Sequence, residues 1–179
     1  MKFLFIINPV AGNKKAGKIW NEIRDKIFKE IGEQDSIFTE YPGNATEIAK
    51  KYSRDYDLIV SCGGDGTLNE IVNGLDNSSY FTILPLGTGS DFGKTIGISD
   101  YKDLISSIKN GRIMEIDVPK VKYQGMERYF ANILEIGFGA YVMEYVNKHK
   151  SLGKYSFLSG IFAQLLDRKS TRLNSSHVF

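Results

Sequence analysis

One cysteine, a net charge of only +2 and no apolar run long enough to span a membrane mark this 179-residue chain. A lone thiol excludes an internal disulfide and suits a reducing compartment. Cys62 closes an apolar run with no basic residue beside it, so a buried, inert thiol is expected. The near-neutral charge removes any general electrostatic case for nucleic acid as a partner. The opening MKFLFII is too short for a signal-peptide core, and nothing approaches the roughly 20 apolar residues of a spanning helix. A cytoplasmic protein is the expectation, with reversible contact at the inner membrane face left open. Internal repeats and low-complexity linkers are absent as well.

What is present is a globular composition in which strand and helix alternate. KFLFIIN is a continuous apolar run closed by Asn-Pro, the pattern of a buried parallel strand. From Ala16 to Ile31 the residues Ile19, Ile23, Ile27 and Ile31 recur every fourth position, which puts one apolar stripe on a helix that Gly32 stops. DSIFTE, YDLIVSC and FTILPL read as three more strands. NATEIAKKYSRD, capped by Asn44 or Thr46, and GTLNEIVNGL read as helices between them. The economical architecture over residues 1–111 is α/β, a Rossmann-like parallel sheet with helices on both faces.

Beyond Ile98 the pattern changes. SDYKDLISSIKNG is a helix with Ser99 at its cap and Gly111 at its end, and the residues that follow read as strands joined by a Gln-Gly turn. A second, β-rich domain of sandwich type is expected over 112–168, truncated. YVMEYVNKHK and KYSFLSGIFAQLL look helical within it. The tail at 169–179 carries neither helix nor strand period and resembles translated adapter sequence, so it is set aside.

Three glycine-bearing stretches carry the chemistry. In NPVAGNKKAGKI, Gly12, Gly17 and Lys18 imitate a P-loop, but Ile19 stands where the magnesium-binding Ser or Thr belongs. Lys14, Lys15 and Lys18 either steer phosphate or an anionic membrane, or line a solvated helix start. In SCGGDGTLNEIVNG, the residues Gly63, Gly64 and Gly66 sit between a strand and a helix that begins near Thr67. Such a loop aims amide N–H groups and a helix dipole at an anion. Asp65 in its middle suits a magnesium ion on bound phosphates, or a proton acceptor; the alternative is a plain Asp-Gly turn. In LPLGTGSDFGKTIGI, Gly87 and Gly89 permit close approach, Thr88 offers a hydroxyl, and Asp91 is either a helix cap or a carboxylate with a substrate or metal role.

Asn8-Pro9-x-Ala11-Gly12, Gly63-Gly64-Asp65-Gly66-Thr67 followed by Asn69-Glu70, and Gly87-Thr88-Gly89-Ser90-Asp91-Phe92 together resemble the three successive motifs of the diacylglycerol kinase catalytic-domain family. The resemblance implies an ATP-dependent lipid kinase using Mg2+, acting on a lipid hydroxyl at a membrane surface. It implies nucleotide contacts from Asn8, Pro9, Gly12, Gly63, Gly64, Gly66, Thr67, Glu70, Gly87 and Thr88. Asp65 would serve the phosphates and the metal, and Asp91 would lie near the reacting hydroxyl. Glu70 remains either a site residue or a solvated helix carboxylate. NAD kinase, which shares a Gly-Gly-Asp-Gly-Thr loop, and an inactive nucleotide-binding module are the alternatives.

Ser90 stands where the family usually has Asn, and Gly93 where it often has Ala. The family's later Asp-Gly-Glu motif has no counterpart, since Asp65-Gly66 is the single Asp-Gly pair. A fragment of a longer kinase is therefore expected.

Overall fold

The computed structural model describes residues 1–76, 79–87 and 89–132. Thr88, the helices expected at 141–150 and 154–166, and the tail lie outside the described residues. In chain order the elements are β1 (Phe3–Ile7), a one-turn α1 (Ala11–Lys14), α2 (Ala16–Ile31), β2 (Asp35–Phe38), α3 (Asn44–Tyr52), β3 (Leu58–Gly63) and α4 (Asp65–Val72). These are followed by β4 (Tyr80–Pro85), α5 (Asp91–Ile96), α6 (Tyr101–Lys109), β5 (Lys120–Tyr123) and β6 (Met126–Tyr129).

All five residues of β1 are buried, and their alternation decides the layers. Phe3, Phe5 and Ile7 pack with Trp20, Ile23, Ile27 and Phe28 of α2 and Leu104 of α6. Leu4 and Ile6 pack with Ala45, Ile48 and Ala49 of α3 and Ile71 of α4. A strand covered on both faces has no room for polar side chains, which is why its sequence is a continuous apolar run. The Trp20 ring lies 5.0 Å from Phe5 and 6.0 Å from Phe28. Burying an aromatic side chain of this kind contributes about 1.5–3 kcal/mol.

The first four strands pair in parallel in the order β2-β1-β3-β4. This is the expected Rossmann-like parallel sheet. The chain passes from β1 outward to β2 and then returns past β1 to β3, so the strand order reverses between β1 and β3. In open parallel sheets, the crevice beyond the carboxyl ends of the strands at such a reversal is where ligands bind.

Two helix starts differ from expectation. Neither Asn44 nor Thr46 caps α3: the N-cap is Gly43, at φ +90°. Asn44 instead accepts the Glu40 N–H on Oδ1 at 3.1 Å, and the Thr46 hydroxyl donates to the Glu70 carbonyl at 2.8 Å, tying α3 to α4. α6 is capped by Asp100 rather than Ser99. Its carboxylate accepts the N–H groups of Lys102 and Asp103 at 2.7 and 3.0 Å, and its charge opposes the positive end of the helix. Asp103 in turn accepts the Ser99 N–H at 2.9 Å.

β5 and β6 form the expected antiparallel hairpin, with Tyr123 opposite Met126. Gln124 and Gly125 have φ of +48° and +81°, the two positive angles of a turn whose twist matches a two-residue hairpin. The strand expected from Arg112 begins only at Lys120, after Pro119, which has no N–H to give a ladder. Met1–Asn132 form one compact unit, hairpin included. No helix among the described residues is long and apolar enough to cross a membrane.

Candidate functional site

Loops following β1, β3 and β4 meet at the carboxyl end of the sheet. Asn8 leaves β1 with its N–H on the Cys62 carbonyl at 3.0 Å, and its Oδ1 accepts the Val10 N–H at 3.2 Å. Its Nδ2 reaches across the point of strand reversal to the Thr67 hydroxyl at 3.0 Å. Gly63 receives the N–H groups of Leu86 and Gly87 on its carbonyl at 2.9 and 3.1 Å, which prolongs the β3–β4 pairing into the loops. One side chain therefore bridges the first and second motifs, and backbone bonds bridge the second and third.

Glycine is required at these crossings. A Cβ on Gly87 would stand 2.9 Å from the Gly64 Cα. A Cβ on Gly12 would stand 2.5 Å from the Leu86 carbonyl oxygen, and Gly12 also sits at φ +60°. Asn13 and Lys14 follow at +57° and +64°, so α1 winds left-handed over three residues, a conformation L residues adopt only at a cost. Pro9 is packed against Gly17, whose added Cβ would lie 3.2 Å from the Pro9 ring. Gly17 and Lys18 belong to α2, and Lys18 is exposed and faces Glu22 at 4.0 Å. The P-loop imitation is thus an ordinary helix start.

Asp65 opens α4, and its carboxylate points to the third motif. Oδ2 accepts the Asp91 N–H at 3.0 Å and Oδ1 accepts the Phe92 N–H at 3.2 Å. Asp65 is therefore the side chain that caps α5. Asp91 does not cap: it is the first residue of α5, and its Oδ1 accepts from the Lys94 ammonium at 2.8 Å, an exposed pair that holds the Lys94 pKa above its ordinary value. Each Asp65 oxygen keeps a further lone pair after these bonds.

The donors fit a phosphate. Among the described residues no side chain caps α4, the N–H groups of its first turn have no partner within the helix, and a Cβ on Gly66 would meet nothing within 4 Å. The Asp65 carboxylate beside them fits a magnesium ion brought by a nucleotide. Such an ion takes one or two protein carboxylates and completes its shell with phosphate oxygens and water. Asp65 supplies one such carboxylate while that of Asp91 is paired with Lys94, and no group of three His, Cys, Asp or Glu comes together among the described residues.

Glu70 lies five positions after Asp65 on α4, about 140° around the helix at 100° per residue, and its carbonyl accepts the Thr46 hydroxyl of α3. Cys62 is fully buried, and burial pushes its thiol well above the usual range, as its sequence setting implied. A cavity of about 830 Å3 lies elsewhere, between the edge of β4 and residues 112–118. Its walls include Phe81, Ile96 and Ile113, and none of Asn8, Gly64, Asp65, Gly87 or Asp91 lines it.

Sequence reasoning missed Asn69 and Asn73 as working residues. Asn73 accepts the Tyr129 N–H and donates to the Tyr129 carbonyl, both at 2.9 Å, and Asn69 accepts the Ala131 N–H at 3.3 Å. The signal was the spacing 65, 69, 73, which places three polar side chains on one helical face.

Fold and site together define a class, Rossmann-like α/β proteins with three glycine loops gathered at the strand reversal of a parallel sheet. Within it, the chain belongs to the family described as diacylglycerol kinase catalytic domain, whose profile matches residues 2–121. It is 37% identical over 135 residues to the diacylglycerol kinase of Bacillus subtilis, covering 72% of this chain and 43% of that protein. To the diacylglycerol kinase of Staphylococcus saprophyticus it is 33% identical over 133 residues, covering 72% and 42%. The crystal structure of a diacylglycerol kinase from Bacillus anthracis superposes with a TM-score of 0.59 at 27% identity, over 70% of this chain and 47% of that one. The chain spans less than half the length of these relatives.

Proposed function

We propose that this chain is the nucleotide-binding part of an ATP-dependent lipid kinase, which transfers the γ-phosphoryl group of ATP to a lipid hydroxyl such as that of diacylglycerol. The observation that carries the reading is the Asn8–Thr67 hydrogen bond across the strand reversal, beside the uncapped start of α4. In this reading the first-turn N–H groups of α4 and the backbone of Gly64, Gly66 and Gly87 hold the phosphates, with Asn8, Pro9, Gly12, Thr67 and Thr88 shaping the nucleotide side. Asp65 holds nucleotide-bound magnesium with the lone pairs left after capping α5, and Asp91 faces the acceptor hydroxyl. Magnesium supplies charge neutralisation on the phosphates when bound. The protein's part is alignment: the lipid oxygen attacks the γ-phosphorus in line as the bond to the bridging oxygen of ADP breaks, and the hydroxyl proton passes to the Asp91 carboxylate. Residues 1–111 would form the nucleotide-binding domain and 112–168 the start of a β-rich second domain, whose first hairpin belongs to the same compact unit as the sheet. The lipid partner would be met at a membrane surface by a cytoplasmic protein.

Calorimetric titration of the 179-residue chain with ATP in the presence of magnesium tests this directly. Saturable binding of ATP, with none of NAD, is expected. Absence of ATP binding, or preference for NAD, overturns the reading.

A further inference from the structure

Asp65, Asn69 and the C-cap Asn73 stand four residues apart along α4 and its end, and they hold two stretches of chain: Asp65 the N–H groups of 91–92, Asn69 and Asn73 those of Ala131 and Tyr129. Asn73 reproduces with its side-chain amide the pair of bonds a neighbouring strand would make to Tyr129, at the end of β6. Its Nδ2 also donates to the Asn69 carbonyl at 2.7 Å, which fixes the plane of the amide. Asn69 holds Ala131, one residue before the chain leaves this unit at Asn132. α4 has only eight residues, roughly 12 Å of helix, and its apolar side is locked by fully buried Leu68 and Ile71. A body so short and so well packed shifts or stays as a whole.

We propose that Asn69 and Asn73 are positioning residues that couple occupancy of the 63–67 loop to the order of residues 129–131. This rests on reading that loop as the phosphate site. Phosphate contacts at the start of α4 restrain the helix, and a restrained helix keeps its two amides on Tyr129 and Ala131. Opening of 129–131 breaks three hydrogen bonds to α4, and it does so more often when the helix is free to move. Coupling of this kind is reciprocal, so the clamp must strengthen nucleotide binding by the factor by which nucleotide strengthens the clamp.

Amide hydrogen exchange on the 179-residue chain, with and without saturating ATP and magnesium, tests the coupling, with calorimetry run on the same samples. Exchange at Tyr129 and Ala131 is expected to slow about fivefold or more on nucleotide binding, the lower end of ordinary coupling. Asn73→Ala is expected to abolish the slowing and to weaken ATP binding by a similar factor. Asn69→Ala, which removes a single 3.3 Å bond, is expected to reduce the slowing at Ala131 and keeps the test available if Asn73→Ala does not fold. Bound ATP with unchanged exchange at both amides overturns the coupling and leaves the nucleotide reading standing. No binding of ATP overturns both.

Discussion

The Asp65 carboxylate accepts the backbone N–H of Asp91 at 3.0 Å, so the second glycine loop caps the helix that the third one opens. Two roles meet on one side chain. Asp65→Ala leaves the N–H groups of Asp91 and Phe92 without their acceptor and is expected to cost about 1–2 kcal/mol, the usual value of a lost cap. Asp65→Asn keeps an acceptor oxygen and should lose less in urea denaturation. The charge is tested separately: Asp65→Asn should weaken ATP binding about tenfold or more with magnesium present and little in chelator. Equal denaturation midpoints for Asp65→Ala and wild type would remove the capping role.

Gly12 and Gly66 should answer differently to alanine. At Gly12 the new Cβ meets the Leu86 carbonyl oxygen at 2.5 Å from a positive φ, and a loss of about 2 kcal/mol or more is expected. At Gly66 nothing stands within 4 Å and the backbone is helical, so Gly66→Ala should leave stability unchanged or raise it by up to about 1 kcal/mol. ATP affinity should nevertheless fall, because the ligand needs close approach to the backbone there. Full affinity in Gly66→Ala would show that phosphate does not approach this residue.

Cys62 should be silent toward thiol reagents in the native protein. It is fully buried, and desolvation holds its thiol protonated. Disulfide-exchange labelling should proceed at the rate of global opening and accelerate with denaturant along the unfolding curve. Prompt labelling under native conditions would contradict the burial.

Tyr56 provides a pH signature. Burial, and then the hydrogen bond it donates to Asp35 at 2.8 Å, push its phenol up to about 12. The unfolded phenol titrates near 10. The fold thus favours the neutral form, and this contribution is complete below pH 10 and lost as pH rises toward 12. The stability difference between wild type and Tyr56→Phe should shrink over that interval in denaturation series at fixed pH. A difference constant across it would place the Tyr56 pKa at its ordinary value.

Much of this was legible in the residues. The apolar run of β1, the fourfold isoleucine spacing of α2 and the Gln124-Gly125 turn each answer to local geometry, and all three appear where their periods put them. Capping was less legible. Asp100 displaced Ser99, and Asp65, 26 positions upstream of Asp91, took the α5 start that Asp91 was one candidate to cap. A cap from outside the helix leaves no mark in the helix's own sequence.

The sequence by itself determined the alternation of strand and helix, the three glycine loops and their family, because periodicity, turn chemistry and close backbone approach all act over a few residues. Only the tertiary structure decided which loops touch. The order β2-β1-β3-β4 brings Asn8 to Thr67 and Asp65 to Asp91, and places Asn69 and Asn73 on Tyr129 and Ala131. Those partners are 26 to 62 residues apart. Contacts over such separations are set by strand pairing and core packing, which no local pattern encodes.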